Sequence, residues 1–376
     1  MILPGETLGV LGGGQLGRMF AVAARTMGYR VVVLDPKPDS PAAALADAHI
    51  QADYDDDHAL DRLARACAGV TAEFENVPAP SLRWLGERCR ICPKDHAFEV
   101  AQDRILEKRF LQSNGLATAP FRGVHEPDAM AGGLAAVGVP ARLKRATFGY
   151  DGKGQHRVTT VAEAEAAFTA MGQAPCVLEG QVDLAQEISV VLARDVHGRS
   201  TSYPVVENIH QGGILDVSIA PARVPEEVAA RARSAAQQVA EGLDHCGVLA
   251  VEFFLTSEHE LLVNEIAPRP HNSGHYTLDA CVTSQFEQQV RTLCGLALGE
   301  TRLLTPAVMV NLLGDLWDAG APPWGRLLEH GDAKLHLYGK SEARPGRKMG
   351  HYCCLGADAD GALREAEAIR QALRSP

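Results

Sequence analysis

An apolar run, three spaced glycines and a helix-like segment open the chain: TLGVLGGGQLGRM, with Gly12, Gly14 and Gly17 in a G-x-G-x-x-G pattern. Glycine at that spacing permits a tight strand-to-helix turn and leaves backbone N–H groups exposed at a helix N-terminus. A second apolar run, YRVVVLD, ends at Asp35, and a third, VTAEFE, follows the helix-like DHALDRLARACAG. Strands alternating with helices over residues 1–95 predict half of a doubly wound parallel sheet, with right-handed crossovers and the glycine turn at its carboxyl edge. The same letters, with an acid closing the second strand, also spell a dinucleotide-binding fingerprint. On its own the motif admits a dinucleotide or any other phosphate.

Beyond Asp95 the alternation stops. EVAQDRILEKRFLQSNG reads as one helix that ends at Asn114-Gly115, with Pro120 barring continuation. Strand-like PARLKRA, CVLEGQV and EISVVLARD follow, interrupted by the glycine-rich FGYDGKGQ and an alanine-rich helix near Ala162–Met171. PEEVAARARSAAQQVAEGL starts with proline and two acids, as a helix N-terminus does. Another helix is expected near Gln285–Leu296, then AVMVNLLG, AKLHLYG and a charged helix at the C-terminus. Interspersed strands and helices of this kind predict an α+β arrangement with antiparallel sheet.

The 376 residues carry a net charge of -11, which argues against nucleic acid or an anionic membrane as partner and leaves small molecules. The first residues lack a basic n-region with a cleavable apolar core, and no run reaches the roughly 18 apolar residues of a membrane span, so a cytoplasmic setting is expected. Nine cysteines are too dilute for a disulfide framework. Cys89 and Cys92 form a C-x-x-C with no second pair at metal spacing, which favours packing over zinc or redox chemistry.

Four clusters downstream carry more chemistry than the glycine turn. In LKRATFGYDGKGQ, Lys144 closes a strand ahead of Gly149, Gly152 and Gly154, so that Lys153 and backbone amides can fold over a polyphosphate. In VEFFLTSEHELLVNEIAPRPHNSGH, a turn centred between Glu258 and His259 pairs Glu252 directly with Glu265, on one sheet face. Two carboxylates so placed repel by about one to a few kcal/mol, and Mg²⁺ held with nucleotide phosphate oxygens is the natural compensation. Arg269, His271, Asn272 and His275 crowd the next stretch, a receptor for a small oxyanion, and LYGKSEARPGRKMGH sets Lys340, Arg347 and Lys348 around a turn. Against NAD stand the halted alternation, the polar Gln15 and Arg18 placed to grip a small anion, and this stronger nucleotide site.

The series GGGQLGRM, TAEFENVP, QDR, FGYDGKGQ, LEGQV, QEISVV, ENIHQGGIL, VEFF, VNEIAPRPHNSGH and YGKSEARPGRKMGH resembles the 5-(carboxyamino)imidazole ribonucleotide synthetases of purine biosynthesis, a family of ATP-grasp ligases, over essentially the whole chain. The resemblance implies an α/β and α+β fold of ATP-grasp architecture. Its parts would be a Rossmann-like pre-ATP-grasp domain over 1–95, an ATP-grasp domain over 96–297 with a mobile lid at about 120–186, and a small β-rich C-terminal domain over 298–376. It implies ATP and Mg²⁺, as one ion or two, and turns the glycine motif into a cradle for a substrate phosphate.

Carried over by position, the resemblance implies that Arg104 and Lys144 contact ATP phosphates beneath a lid of Gly149, Tyr150, Asp151, Gly152, Lys153, Gly154 and Gln155. Glu179, Gly180, Gln181 and Val182 would form a hinge strand reading adenine mostly through backbone groups, Glu187 would take the ribose hydroxyls, and His210 and Asn264 would lie by the nucleotide. Glu252 and Glu265 would hold the metal. Gly14, Gln15 and Leu16 would offer amides to the phosphate of aminoimidazole ribonucleotide, with Glu75, Lys340, Arg347, Tyr150 and Asp151 also in reach. Arg269, His271 and Asn272, with Asp151 and Lys340, would be catalytic, Arg269 and His271 holding bicarbonate. EGQV is not the commonest hinge wording, and Phe148 stands where a small residue is frequent.

The implied reaction is ATP-dependent carboxylation of aminoimidazole ribonucleotide through carboxyphosphate, by a homodimer whose product feeds a downstream mutase. Two alternatives are a formate-using glycinamide ribonucleotide transformylase, which shares the architecture, and a non-catalytic NAD-type binding protein. Phosphate release dependent on formate would favour the former, and NAD affinity without ATPase activity the latter.

Overall fold

The computed structural model describes residues 1–147 and 154–374. Its N-terminal sheet is parallel and five-stranded, in the order Ala48–Ile50, Arg30–Leu34, Thr7–Leu11, Gly69–Ala72, Arg90–Ile91. The chain leaves the central strand Thr7–Leu11 at its carboxyl end, where the strand order reverses, and turns through the glycines into helix Gln15–Thr26. That switch point is where an open α/β sheet leaves a crevice. The two shortest strands, Ala48–Ile50 and Arg90–Ile91, have too few residues to give a periodic signal in the sequence.

The single helix expected over EVAQDRILEKRFLQSNG is two: Asp95–Ala101 and Arg104–Ser113. Asp103 separates them, adopting extended backbone and accepting from Ile105 N at 2.7 Å and Leu106 N at 3.2 Å. A side-chain cap of this kind competes with helix continuation. The break makes Arg104 the first residue of a new helix and aims its face at strands Leu261–Ala267 and Cys176–Gly180. The far end stops at Asn114-Gly115 as expected, Gly115 having a φ of +71°.

Residues 121–180 supply a separate four-stranded antiparallel sheet, ordered Phe121–Val124, Cys176–Gly180, Ala141–Arg145, Gln155–Val158. Helices Ala129–Val137 and Val161–Ala170 cover it, around a core that includes Leu134, Leu143, Phe168 and Leu178. The third sheet has nine strands. Leu261–Ala267, Gly247–Thr256, Leu184–Arg194, Val206–Gln211 and Ile214–Ala220 run on without interruption into Ala307–Leu313, Lys348–Leu355 and Ala333–Leu337, while Ser200–Ser202 pairs with Leu184–Arg194. Ile214–Ala220 pairs antiparallel with Ala307–Leu313, so the C-terminal strands extend this sheet.

The hairpin that carries the acids differs from expectation in its turn and agrees in its pairing. Leu255 pairs with Leu261, Phe254 with Leu262 and Phe253 with Val263, which centres the turn on Glu258. With no correction Glu252 would face Asn264. A bulge between Phe253 and Glu252 takes up one extra residue and brings Glu252 opposite Glu265.

Candidate active site

Helix Arg104–Ser113 presents Arg104, Glu107 and Lys108 on one face, at the i, i+3, i+4 spacing of helical neighbours. Arg104 Nη1 lies 3.3 Å from Glu265 Oε2. Lys108, fully buried, donates from Nζ to the Asn264 carbonyl at 2.9 Å and lies 3.6 Å from Glu179 Oε1, while Lys144 Nζ approaches Glu179 Oε2 at 2.6 Å. Burial disfavours a charged Glu179, but the two lysines overcome it and hold the carboxyl down at about 2. Lys144 moves below its usual value, chiefly by burial and despite Glu179. Glu107, whose Oε1 accepts from Ile266 N at 2.6 Å, is pushed up to about 8 by burial. Three cations thus face one firmly ionised acid and the carboxylate Glu265, a surplus of positive charge suited to a polyphosphate.

The Glu179 side chain is therefore spent on two lysines, which leaves the adenine reading implied above to backbone groups of the hinge. The Gly180 and Gln181 amides donate to Pro120 O at 2.8 Å and Pro140 O at 3.2 Å, so they too are committed within the fold. Glu187 Oε2 meets His210 Nδ1 at 2.9 Å. Burial works against charge on His210, but that contact and the nearby acids Glu252 and Glu265 raise it above its ordinary value. Gly149, Tyr150, Asp151, Gly152 and Lys153, with Phe148, lie outside the described residues. Gly154 O accepts from Arg145 N at 2.9 Å, and Gln155 pairs with Lys144 across the strands.

Glu252 and Glu265 are where the clusters meet. Burial, then the charge of Glu265, push Glu252 up to about 8. Glu265 goes the other way, because Arg104 and Lys144 outweigh its burial. A protonated acid beside an ionised one is the like-charge pattern of two carboxyls sharing a site. A divalent cation would ionise both, and the donor set fits one. Among the described residues no cluster of three or more His, Cys, Asp or Glu side chains surrounds one point. Two hard oxygen donors backed by lysines match Mg²⁺ that completes its shell with phosphate and water.

Across the pair lies the loop after strand Leu261–Ala267. His271 Nε2 sits 3.2 Å from Glu252 Oε1, and burial, with Arg269 nearby, pushes the imidazole well below its usual range, so the ring is neutral. Arg269, itself part-buried, forms an ion pair with Glu75. Asn272 and Asn311 exchange side-chain hydrogen bonds at 3.1 and 2.7 Å. Gln285 clamps the loop: its Oε1 accepts from His271 N at 2.9 Å and its Nε2 donates to His271 O at 2.8 Å.

At the glycine turn, Asp35 does something other than a dinucleotide fingerprint asks. Its buried carboxylate accepts from Gly13 N at 2.6 Å, Lys37 N at 2.8 Å and the Tyr54 hydroxyl at 2.8 Å. Those oxygens brace the turn and are not free for a ribose. Gly12 needs its φ of +106°, and a Cβ on Gly17 would sit 2.0 Å from Gly12 O. Gly14 is the helix N-cap with no side-chain cap, and Gln15 and Leu16 follow it, so the exposed helix start can receive an anion. Arg18, expected to grip that anion, donates to Pro41 O at 3.3 Å.

The C-terminal loop reaches the same crevice. Ser341 Oγ donates to Asp39 Oδ2 at 2.6 Å, and Gly339 lies against the Arg18 guanidinium. Lys340 donates to Lys348 O and lies 5.4 Å from the Tyr338 ring centroid, while Arg347 Nη1 donates to Glu342 O at 2.6 Å. Lys340 and Arg347, about 300 residues from the glycines in sequence, are thus carried by a loop docked on helix Gln15–Thr26 and the neighbouring Asp39 loop.

Over residues 5–102 the chain matches the ribonucleotide synthetase preATP-grasp domain, over 109–286 the ATP-grasp domain, and over 307–365 the phosphoribosylaminoimidazole carboxylase C-terminal domain. It is 46% identical over 350 residues to the N5-carboxyaminoimidazole ribonucleotide synthase of Brucella melitensis, covering 93% of this chain and 96% of that protein. The chain belongs to this family. The N5-carboxyaminoimidazole ribonucleotide synthase of Bacillus subtilis is 45% identical over 351 residues, 93% of this chain and 92% of that one. Among solved structures, the Staphylococcus aureus synthetase complexed with ADP superposes with a TM-score of 0.92 at 39% identity, covering 98% of each chain. The Aspergillus clavatus synthase, in complex with ADP and 5-aminoimidazole ribonucleotide, superposes with a TM-score of 0.90 at 31% identity, again covering 98% of each. The N5-carboxyaminoimidazole ribonucleotide synthase family is an ATP-grasp family of ligases, so the family and architecture read from the motifs hold, and the NAD reading falls.

Sequence reasoning overlooked Lys108, Glu107 and Glu73. Glu73 closes strand Gly69–Ala72 beside the glycine turn, is buried, and is pushed up to about 8 by burial; its Oε2 has no hydrogen-bond partner among the described residues. The available signals were the shared helix face of Arg104, Glu107 and Lys108, and the alternation of Glu73 and Glu75 in TAEFEN.

Proposed function

We propose that this chain uses ATP to carboxylate 5-aminoimidazole ribonucleotide with bicarbonate, yielding 5-(carboxyamino)imidazole ribonucleotide, ADP and phosphate. One observation carries the reading: the Glu252–Glu265 pair has the Arg104, Lys108 and Lys144 cations on one side and the Arg269–His271 loop on the other. A phosphoryl group bound among the cations would face an oxyanion held on the loop. The family membership supports the same chemistry.

In this scheme Arg104, Lys108 and Lys144 hold the phosphates of ATP, Glu187, His210 and Asn264 line the nucleoside, and Val182 with the neighbouring hinge borders the base. Glu252 and Glu265 hold Mg²⁺, one ion or two, which supplies charge neutralisation on the transferring phosphoryl group. Arg269 and His271 orient bicarbonate, a poor electrophile, so that one of its oxygens attacks the terminal phosphorus and ADP leaves. The exocyclic amine of the ribonucleotide then bonds to the carbon of carboxyphosphate, or of carbon dioxide released from it; phosphate departs and the amine loses a proton. Gly14, Gln15, Leu16, Glu75, Lys340 and Arg347 hold the ribonucleotide, with Asn272 beside the reacting groups. The segment from Gly149 to Gln155, Tyr150 and Asp151 included, shields the labile intermediate from water.

The Arg269–Glu75 ion pair links the bicarbonate loop to the ribonucleotide side. A homodimer, a cytoplasmic setting and a mutase that consumes the product belong to the same proposal. Among the described residues no helix is long and apolar enough to cross a membrane. The test is ATP turnover with aminoimidazole ribonucleotide, with and without bicarbonate. Turnover that needs both supports the reading, and turnover that needs formate instead overturns it.

A further inference from the structure

His271 is the end of a buried chain of hydroxyls and one amide. Ser218 Oγ lies 2.8 Å from Asn208 Oδ1, Asn208 Nδ2 lies 2.9 Å from Ser189 Oγ, and Ser189 Oγ lies 2.8 Å from Ser273 Oγ. Ser273 Oγ in turn lies 2.9 Å from His271 Nδ1. None of the four residues Ser189, Asn208, Ser218 and Ser273 is more than 4% exposed. The chain links three adjacent strands of the nine-stranded sheet to the site loop, and Ser189 sits directly across from Glu252 in the ladder.

Hydrogen bonds between hydroxyls can run either way, so the direction must be set by a group that has no choice. Ser273 N is that group. A backbone N–H only donates, and it points at His271 Nδ1 from 3.3 Å. Nδ1 therefore carries a lone pair, and the neutral ring has its proton on Nε2. The remaining directions follow in order. The Ser273 hydroxyl gives its proton to Nδ1 and accepts from Ser189, Ser189 accepts from the Asn208 amide, and Asn208 Oδ1 accepts from Ser218. At the other edge of the ring the Nε2 proton meets Glu252 Oε1 at 3.2 Å.

We propose that Ser273, supported by Ser189, Asn208 and Ser218, is a positioning residue that locks His271 in the Nε2–H tautomer. So locked, the imidazole is a fixed hydrogen-bond donor to Glu252 and the oxyanion region, and not a base. The functional part of this inference rests on the bicarbonate reading above; the tautomer does not. Nothing in the packing alone requires the chain, since an apolar core of the same shape would fill the space without needing every partner satisfied.

The experiment is ¹⁵N-histidine NMR on the full-length protein free of nucleotide and metal, with the His271 resonances assigned by their loss in His271→Gln. The wild type is expected to show an unprotonated Nδ1 and a protonated Nε2. Ser273→Ala removes the hydroxyl donor, and Ser189→Ala removes the partner that directs it, which covers the case of one variant misfolding. The residue-273 backbone N–H survives in both variants, but at 3.3 Å it is the longer of the two contacts to Nδ1; with the 2.9 Å hydroxyl lost or undirected, the share of the Nδ1–H form should rise without becoming complete. Both should also lower kcat for bicarbonate-dependent turnover by about tenfold, the scale of one hydrogen bond, with the KM for ATP within about twofold of wild type. A wild-type ring protonated on Nδ1 overturns the lock, and so do folded variants that leave both spectrum and kcat unchanged. A wild-type Nε2–H ring in a protein without bicarbonate-dependent turnover would support the lock and overturn the proposed function.

Discussion

Replacing Asp35 by Asn probes the reassignment of the glycine turn more sharply than deleting a glycine would. Asn keeps the volume but replaces one oxygen with an NH₂ group. Oδ2 now receives Gly13 N and the Tyr54 hydroxyl, and Oδ1 receives Lys37 N. Whichever way the amide turns, at least one donor faces another donor at a residue only 6% exposed. A hydrogen bond to a charged acceptor contributes about 1.5–3 kcal/mol, and an unsatisfied buried donor costs about 1–3 kcal/mol. The least harmful rotamer sacrifices the Lys37 contact and weakens the other two, so a loss of about 2–4 kcal/mol is expected. Thermal unfolding should register it as a lower Tm. Because Gly13 precedes the helix start proposed to receive the phosphate, calorimetric titration should show about a tenfold weaker affinity for aminoimidazole ribonucleotide and an unchanged affinity for ATP. NAD at millimolar concentration should leave the wild-type Tm where it is, whereas a binding ligand would raise it. An Asp35→Asn variant with normal Tm and normal ribonucleotide affinity would refute the bracing argument, and an NAD-induced rise in Tm would refute the reassignment itself.

Other outcomes follow from the same geometry. Glu265→Gln changes charge and little volume, so turnover should fall by at least about a hundredfold while circular dichroism stays that of the wild type; near-normal activity would remove Glu265 from the metal site. Arg347→Ala should weaken ribonucleotide binding by about ten- to a hundredfold if the guanidinium bonds the ligand directly, with ATP affinity hardly changed; the reverse pattern would assign the C-terminal loop to the nucleotide. Glu73, Glu107 and Glu252 are each pushed up to about 8 in the folded protein by burial, so between the ordinary carboxylate range and pH 8 the folded state binds more protons than the unfolded one. Their contribution to stability is complete at low pH and is lost as pH rises through about 8. The Tm advantage of Glu107→Gln over wild type should therefore grow from pH 5 to pH 8 and then level off, and a constant difference would show that Glu107 is ionised throughout.

Much of this was legible because it depends on local pattern. Periodic apolar runs and a glycine turn determine the parallel sheet, and the hairpin acids lie close enough in sequence for register to be counted. The turn nevertheless centres on Glu258, and the Glu252–Glu265 pairing exists only because a bulge adds a residue. That bulge leaves the Asn264 carbonyl to Lys108, a residue 156 positions away. No local rule announces it. Lys108 itself reads as a solvated helix residue until Asp103 breaks the helix and turns that face inward. The commitment of Glu179 to two lysines, and of Asp35 to the glycine turn, depends on tertiary contacts in the same way. The C-terminal strands look like a unit of their own in sequence, because the pairing of Val217 with Val310 spans most of a hundred residues.

The central claim is that bicarbonate is activated by phosphoryl transfer at the Glu252–Glu265 pair. Turnover of ATP with aminoimidazole ribonucleotide in ¹⁸O-labelled bicarbonate tests it by mass spectrometry of the released phosphate. If a bicarbonate oxygen attacks the terminal phosphorus, each phosphate carries one ¹⁸O atom from bicarbonate, and in Glu265→Gln the labelled product disappears. Ribonucleotide-dependent turnover that releases unlabelled phosphate would contradict the account.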